Sequence, residues 1–312
     1  MYENCNNEAI VKIVNESKKI LERTHCCNGI EFRWENGNLS MFLNGQRVKE
    51  AAVGYAPLDE IDFYSFKNKA SEYKSIKDKN GNPVYFKPNG YFESVHMPPF
   101  SKMFSLLTIM LSRIPTPMEF YKFYGLAVFQ PVGETEYGKL IYFKPWADAR
   151  KPERRNVILP PRDNIYDKSL MIRIMKGYCS FVREVFGHLD LVEEAKKRNI
   201  PIVFFRSTKK DITEDADIVA KYKGNLYYIS FYDNTVRGMA KRRSKEDARE
   251  FGFRKESAYS HIDVPTNFSF ANNGEKLNTY TTKKGIELYN YETINKIINQ
   301  ILTEQNGNIL LN

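Results

Sequence analysis

Apolar and polar residues alternate along several short segments in the first half of the chain. The segments 29–34 and 39–43 each alternate, and the residues between them, 35–38, are typical of a turn. Side chains two positions apart share one face of a strand, so this pattern predicts a β-hairpin. Further turn signals lie beside aromatic segments as far as residue 92. We therefore expect a β-rich N-terminal region.

Apolar residues at helical spacing predict two helices in the same region. The first opens the chain, and the second runs over 101–114, where prolines follow it. The segments 126–130 and 139–143 are predicted to be strands. Together these elements make the first 145 residues an α+β region to which the sequence assigns no role.

A different pattern begins near residue 167. Helical spacing predicts one helix over 167–187 and a shorter one over 189–198. The first of these should bury one side against a sheet. The predicted elements that follow are strands at 200–205, 217–222 and 226–232, a basic helix at 237–251, strands at 261–264 and 285–289, and a helix at 291–302.

Residues 146–166 separate the two patterns and are rich in proline and basic residues. Proline restricts the backbone at its own position and at the one before it, so a continuous helix is not expected here. We therefore predict an N-terminal α+β domain at 1–145, a basic linker or arm at 146–166, and an α/β domain at 167–312.

The positive charge of the chain is concentrated in two segments. The segment 150–162 has five basic residues and one acid, and the segment 237–255 has eight basic residues and three acids. Together they account for the whole net charge of +9. Such concentration favours a polyanionic partner, because cationic side chains release counterions from phosphates. A solvated helix face and a basic linker would explain the same charge without a partner.

The predicted nucleic-acid-binding residues belong to these two segments. In the second segment, four basic residues spaced by four positions line one face of the predicted helix. A one-sided cationic stripe follows a phosphate backbone without reading bases, so we expect salt-sensitive and sequence-tolerant binding. The residues are Arg154, Arg155, Arg237, Lys241, Arg242, Arg243, Lys245 and Arg249.

Composition narrows the class of protein. The chain of 312 residues is 42% hydrophobic and 14% aromatic, which excludes a disordered or fibrous protein. Its longest apolar stretch, 103–111, is about half of the roughly 20 residues that span a bilayer, so no membrane partner is expected. Four cysteines without disulfide or zinc spacing, and the lack of a secretory signal pattern, favour the cytoplasm.

The segment 217–232 gives the second half a resemblance to a known family. Its sequence, DIVAKYKGNLYYISFY, opens with Asp217 and has a turn at Gly224 before a third strand. With the surrounding order of helices and strands, it resembles the PD-(D/E)XK nuclease superfamily. The resemblance implies a restriction-endonuclease-like α/β core made of a helix, a three-strand meander, a second helix and a further strand. It also implies a role in cutting or processing DNA.

The chemistry of that superfamily is metal-assisted phosphodiester hydrolysis. Carboxylates on adjacent strands bind Mg²⁺, and the metal and a Lys activate a water molecule and stabilise the developing charge. Asp217 matches the first carboxylate. The second carboxylate position falls on Ser230 and the Lys position on Tyr232, and neither side chain can replace the family's residue.

Three interpretations follow from this departure. In the first, the protein is a catalytically inactive nuclease relative that binds nucleic acid, DNA above all. In the second, it is a Mg²⁺-dependent endonuclease with a rearranged site. Its metal ligands would then be Asp217 with Asp233 or Glu184, and its catalytic cation would be Lys221 or Lys241. In the third, the resemblance is accidental, and a structural or assembly protein uses the basic segments for protein contacts.

Overall fold

The computed structural model of the chain confirms the mixed α/β class. It contains six helices and eleven strands in the part of the chain that it describes. The structure describes residues 7–21, 29–55, 58, 60–72, 100–129, 131–134, 140–142, 164–207, 216–233, 260–266 and 279–307.

We number the elements in chain order. The helices are α1 Asn7–Leu21, α2 Phe63–Glu72, α3 Phe100–Leu111, α4 Pro117–Phe129, α5 Asn164–Lys197 and α6 Tyr291–Gly307. The strands are β1 Ile30–Glu35, β2 Asn38–Leu43, β3 Gln46–Ala52, β4 Pro131–Glu134, β5 Leu140–Tyr142, β6 Val203–Ser207, β7 Ile218–Tyr222, β8 Asn225–Asp233, β9 Ser260–Thr266, β10 Thr279–Thr281 and β11 Glu287–Tyr289.

Seven strands form one sheet in the order β3-β2-β1-β6-β7-β8-β9. The predicted hairpin of β1 and β2 is confirmed, and β1 also pairs antiparallel with β6. Strands β6, β7 and β8 form an antiparallel meander, whereas β9 lies parallel to β8. The connection between β8 and β9, residues 234–259, lies outside the described residues.

The chain falls into two compact units that do not follow its sequence order. Unit 1 comprises Met1–Asn28, Lys49–Phe181 and Lys283–Ile286. Unit 2 comprises Gly29–Val48, Val182–Thr282 and Glu287–Asn312. This grouping differs from the three consecutive segments expected from the sequence, because the pairing of β1 with β6 brings the N-terminal hairpin into unit 2.

Aromatic side chains form the centre of unit 1. Phe104 of α3 is fully buried. Its ring centroid lies 5.2 Å from that of Phe120, 5.6 Å from that of Tyr178 and 5.8 Å from that of Phe181. The first two contacts are edge-on, which suits the charge distribution of aromatic rings. The many Phe residues of this region therefore serve a packed core.

A capping box fixes the start of α4. The Thr116 hydroxyl accepts the N–H of Glu119 at 3.2 Å, and the Glu119 carboxylate accepts the N–H of Thr116 at 2.8 Å. Burial acts to raise the pKa of Glu119, but hydrogen bonds from Arg113 and Thr116 outweigh it and hold that pKa below its ordinary value. The predicted strand at 126–130 is wrong, because the helix that begins here continues to Phe129.

The apolar core of unit 2 lies on one face of the sheet. Ile218, Ile229 and Ile262 come from β7, β8 and β9 and belong to one cluster with Leu191 of α5 and Ile298 of α6. We call this side of the sheet the helix face. The candidate site is built at the same side, from polar residues of α5, β6, β11 and the start of β7.

Helix α5 continues through Gly187, where the sequence predicts a helix end. A Cβ atom added to Gly187 would lie 3.1 Å from the ring of Tyr289, closer than most such contacts. Glycine therefore favours the close approach of α5 to β11, and it does not end the helix. The two predicted helices at 167–187 and 189–198 are one continuous helix.

Candidate functional site

Asp217 lies directly before β7, where the hairpin departs from regular pairing. Its N–H donates to the carbonyl of Ile229 at 2.9 Å, although Ile229 is the register partner of Ile218. Asp217 and Ile218 thus both lie opposite Ile229, as in a β-bulge. A bulge changes the direction in which the first side chain points. The Oδ2 atom of Asp217 accepts the N–H of Phe231 at 2.6 Å. The carboxylate is therefore fixed between the two strands at this end of the hairpin.

Glu184 and Arg206 form a buried ion pair on the helix face. Glu184 of α5 is 6% exposed, and Arg206 of β6 is fully buried. Their closest atoms, Oε2 of Glu184 and one terminal guanidinium nitrogen of Arg206, are 2.6 Å apart. Charges removed from water in this way need a partner of opposite sign. Each charge of the pair therefore compensates for the burial of the other.

A second ion pair joins α5 to β11. Arg183, the neighbour of Glu184 in sequence, is 3% exposed and pairs with the carboxylate of Glu287. The other oxygen of that carboxylate accepts the Thr279 hydroxyl of β10 at 2.7 Å. Both carboxylate oxygens of Glu287 are thus engaged, and the carboxylate links α5 to the β10–β11 pair.

Tyr289 connects these groups. Its ring stacks on that of Phe231 with centroids 4.5 Å apart. Burial raises the pKa of the Tyr289 hydroxyl well above its ordinary value; Arg183 acts to lower it, whereas Asp217 and Glu184 raise it further. The hydroxyl therefore stays protonated and lies in the electrostatic surroundings of both carboxylates. We call Arg183, Glu184, Arg206, Asp217, Glu287 and Tyr289 the polar network.

Two of the predicted site residues belong to the polar network. Asp217 accepts the N–H of Phe231, whose ring stacks on that of Tyr289, and Glu184 pairs with Arg206. Asp233 is the last residue of β8. Lys221 is exposed and lies four positions along β7 from Asp217, a distance of about 13 Å at the rise of an extended strand. Lys221, one of the two predicted catalytic cations, is thus remote from Asp217.

Ser230, at the family's second carboxylate position, lies on β8 beside the parallel strand. It is buried, and its register partner on β9 is Asp263.

The predicted basic residues, which include Lys241, all lie outside the described residues, so their roles stay predictions. They are Arg154, Arg155, Arg237, Lys241, Arg242, Arg243, Lys245 and Arg249.

Sequence reasoning missed most of the polar network. Arg206 ends the apolar run of β6, and a single charge in such a run is the signal that marks a buried, paired group. Glu287 occupies a similar position before the buried residues Leu288 and Tyr289 of β11. The partners of these charges lie on α5, far away in sequence, so the residue pattern does not identify them.

The described residues do not fit a Mg²⁺ site. Among them, no group of three or more His, Cys, Asp or Glu side chains is arranged as metal ligands would be. Hard cations require several oxygen ligands, but the Glu184 carboxylate is already engaged by Arg206. The fixed positive charge of that guanidinium also opposes a second cation beside it. Two of the three carboxylates of the network, Glu184 and Glu287, are thus already paired with guanidinium groups.

Comparisons with known proteins return no match: neither a family model, nor a curated protein, nor a solved structure is similar to this chain. Within the described ranges, every helix is too short or too polar to cross a membrane.

Proposed function

We propose that this protein binds DNA through its basic segments and that its nuclease-like core is catalytically inactive. The observation that carries the proposal is the ion pair of Glu184 with the fully buried Arg206. A carboxylate that would bind a catalytic metal is instead neutralised by a fixed guanidinium. The fold then serves as a scaffold for binding.

The arrangement of strands supports the nuclease-like core. Helix α5 precedes an antiparallel meander of β6, β7 and β8, and β9 then lies parallel to β8. A parallel pair requires a crossover connection of about a dozen residues or more, and residues 234–259 are long enough for one. This order of elements and the position of Asp217 at the start of the middle strand both agree with the resemblance.

The distribution of charge supports DNA as the partner. In sequence, the connection between β8 and β9 contains the whole basic segment 237–255, and the other basic segment ends at residue 162, just before α5 begins at Asn164. Both segments therefore adjoin elements of the nuclease-like core. Lysine and arginine contacts to phosphates supply salt-dependent affinity that does not require base recognition.

Reversing three of the basic charges should weaken DNA binding. We expect Lys241→Glu/Arg242→Glu/Arg243→Glu to lower affinity for a duplex of random sequence by roughly 100-fold. When phosphate contacts are lost, binding releases fewer counterions from the DNA and is therefore weaker. The slope of log affinity against log salt should fall by about three. Fluorescence anisotropy over a salt series measures both quantities.

The matched control changes the same number of charges elsewhere. Lys12, Lys19 and Lys296 are exposed on α1 and α6, and their joint change to Glu should alter affinity far less than the first variant. If both variants lost the same affinity for DNA, the effect would depend on total charge alone. That result would contradict a local binding surface. Unchanged affinity in the first variant would instead favour a structural protein whose basic segments contact other proteins.

The protein should not nick DNA. With Mg²⁺ or Mn²⁺ present, supercoiled plasmid should stay intact at the level seen for Asp217→Ala and for a surface control, Glu292→Ala. Gel electrophoresis of the plasmid over time gives the result. Nicking that disappears in Asp217→Ala but persists in Glu292→Ala would contradict the proposal and favour the rearranged endonuclease site.

A further inference from the structure

We infer that the Arg206 guanidinium is the built-in cation of the polar network and takes the place of a divalent metal ion. The inference rests on the proposed function, because a working metal site would leave no place for a fixed cation. By this inference, Arg206 is the residue that makes the core inactive. Removal of its guanidinium should allow a divalent ion to bind to the polar network.

The first support is the electrostatic requirement of the network. Glu184 is almost excluded from solvent, and Asp217 accepts the N–H of Phe231, whose ring stacks on that of Tyr289 in the same network. A carboxylate that is removed from water needs a cation or hydrogen-bond donors in compensation. Arg183 is engaged by Glu287. Arg206 is the group that pairs with Glu184, and its side chain is fully removed from solvent.

The second support is the position of Arg206 in the sheet. It lies on β6 opposite Phe32 of β1, and its neighbour Phe205 is the register partner of Val219 on β7. Arg206 is thus at the same end of the meander as Asp217, which lies two positions before Val219. Arginine suits this place because its planar guanidinium keeps its charge when buried and presents several donors to carboxylates.

The inference predicts that removing the guanidinium creates a metal site. In Arg206→Met, Glu184 and Asp217 lack the fixed cation, and a divalent ion can neutralise them. We expect millimolar Mn²⁺ to raise the melting temperature of Arg206→Met by about 5 °C, because a ligand that binds only the folded state stabilises it. Wild type should show no such shift. Thermal unfolding followed by circular dichroism provides the measurement.

The matched control is Glu184→Gln/Arg206→Met, which removes both charges and retains the size of both side chains. It should fold and should not respond to Mn²⁺. Arg206→Lys, which keeps a cation on the same strand position, should also not respond. A Mn²⁺ shift in the double variant equal to that of Arg206→Met would overturn the inference, since Glu184 would then play no part in binding.

Loss of folding in Arg206→Met is also informative. If Mn²⁺ restores the folded signal of that variant, the ion replaces the guanidinium as inferred. If the double variant folds while Arg206→Met stays unfolded at every Mn²⁺ concentration, the ion cannot replace it and the inference is overturned. The inference is also overturned if wild type binds Mn²⁺ and Glu184→Gln abolishes that binding. The metal site would then be open in the presence of Arg206.

These outcomes are separate from those that test the proposed function. DNA affinity reports on the basic segments, and plasmid nicking reports on catalysis in the wild-type chain. The Mn²⁺ shift reports only on the polar network of the Arg206 variants. A folded Arg206→Met variant without a shift would refute the built-in cation and leave DNA binding untouched.

Discussion

Arg206→Ala is expected to lower the free energy of unfolding by about 3–5 kcal/mol, the cost of leaving one charge of a buried pair without its partner. The carboxylate of Glu184 is 2.6 Å from the guanidinium and almost excluded from solvent. Equilibrium unfolding in urea, followed by circular dichroism, measures the change.

Two controls separate the charge from the shape of Arg206. In Glu184→Gln/Arg206→Met no charge is left unpaired, so most of the lost stability should return. The exposed pair of Lys296 and Glu292 on α6 should contribute less than about 1 kcal/mol when either residue becomes Ala. A double variant that is as unstable as Arg206→Ala would show that packing, and not the unpaired carboxylate, explains the effect.

Phe104→Ala is expected to destabilise unit 1 by about 3–5 kcal/mol. Phe104 is fully buried and contacts Phe120, Tyr178 and Phe181 at edge-on or tilted angles. Removing the ring therefore leaves a cavity and also abolishes three aromatic contacts. Denaturant titration with near-ultraviolet circular dichroism detects the loss, because that signal depends on packed aromatic rings.

The matched variants for Phe104 differ in volume and in burial. Phe104→Leu keeps most of the apolar volume and should cost clearly less than Phe104→Ala. Val11→Ala, at an exposed position of α1, should change stability by no more than about 0.5 kcal/mol. If Phe104→Leu and Phe104→Ala were equally unstable, the ring contacts would outweigh the cavity, which would contradict a volume-based account of this core.

Local patterns predicted those elements whose residues interact with near neighbours. The β1–β2 hairpin follows from its alternation and turn, and α3 from its continuous apolar run. Gly187 misled the prediction of a helix end, because a glycine that ends a helix and a glycine that allows close packing look alike in sequence. Tyr289, whose ring packs closely against this glycine, lies about a hundred residues away in sequence.

The sequence predicted only part of the candidate site, because several of its contacts join residues that are distant in sequence. Asp217 and Glu184 follow from the order of elements that the resemblance supplies, and both carboxylates raise the pKa of Tyr289. Arg206 could be seen only as an unusual charge in an apolar strand. That it neutralises Glu184 depends on how α5 packs on the sheet, which no local spacing encodes. The role of the site therefore depends on a residue that the family pattern does not contain.

The pairing of β1 with β6 has a consequence for how this chain can be divided. Phe32 is the register partner of Arg206, so the strand that carries the buried guanidinium is flanked on one side by residues from the N-terminal hairpin. A fragment limited to residues 167–312 would leave the backbone of β6 as an open edge that invites self-association. During synthesis, β1 can pair with β6 only after residue 207 has been added. A cut between the hairpin and β6 therefore divides one continuous sheet.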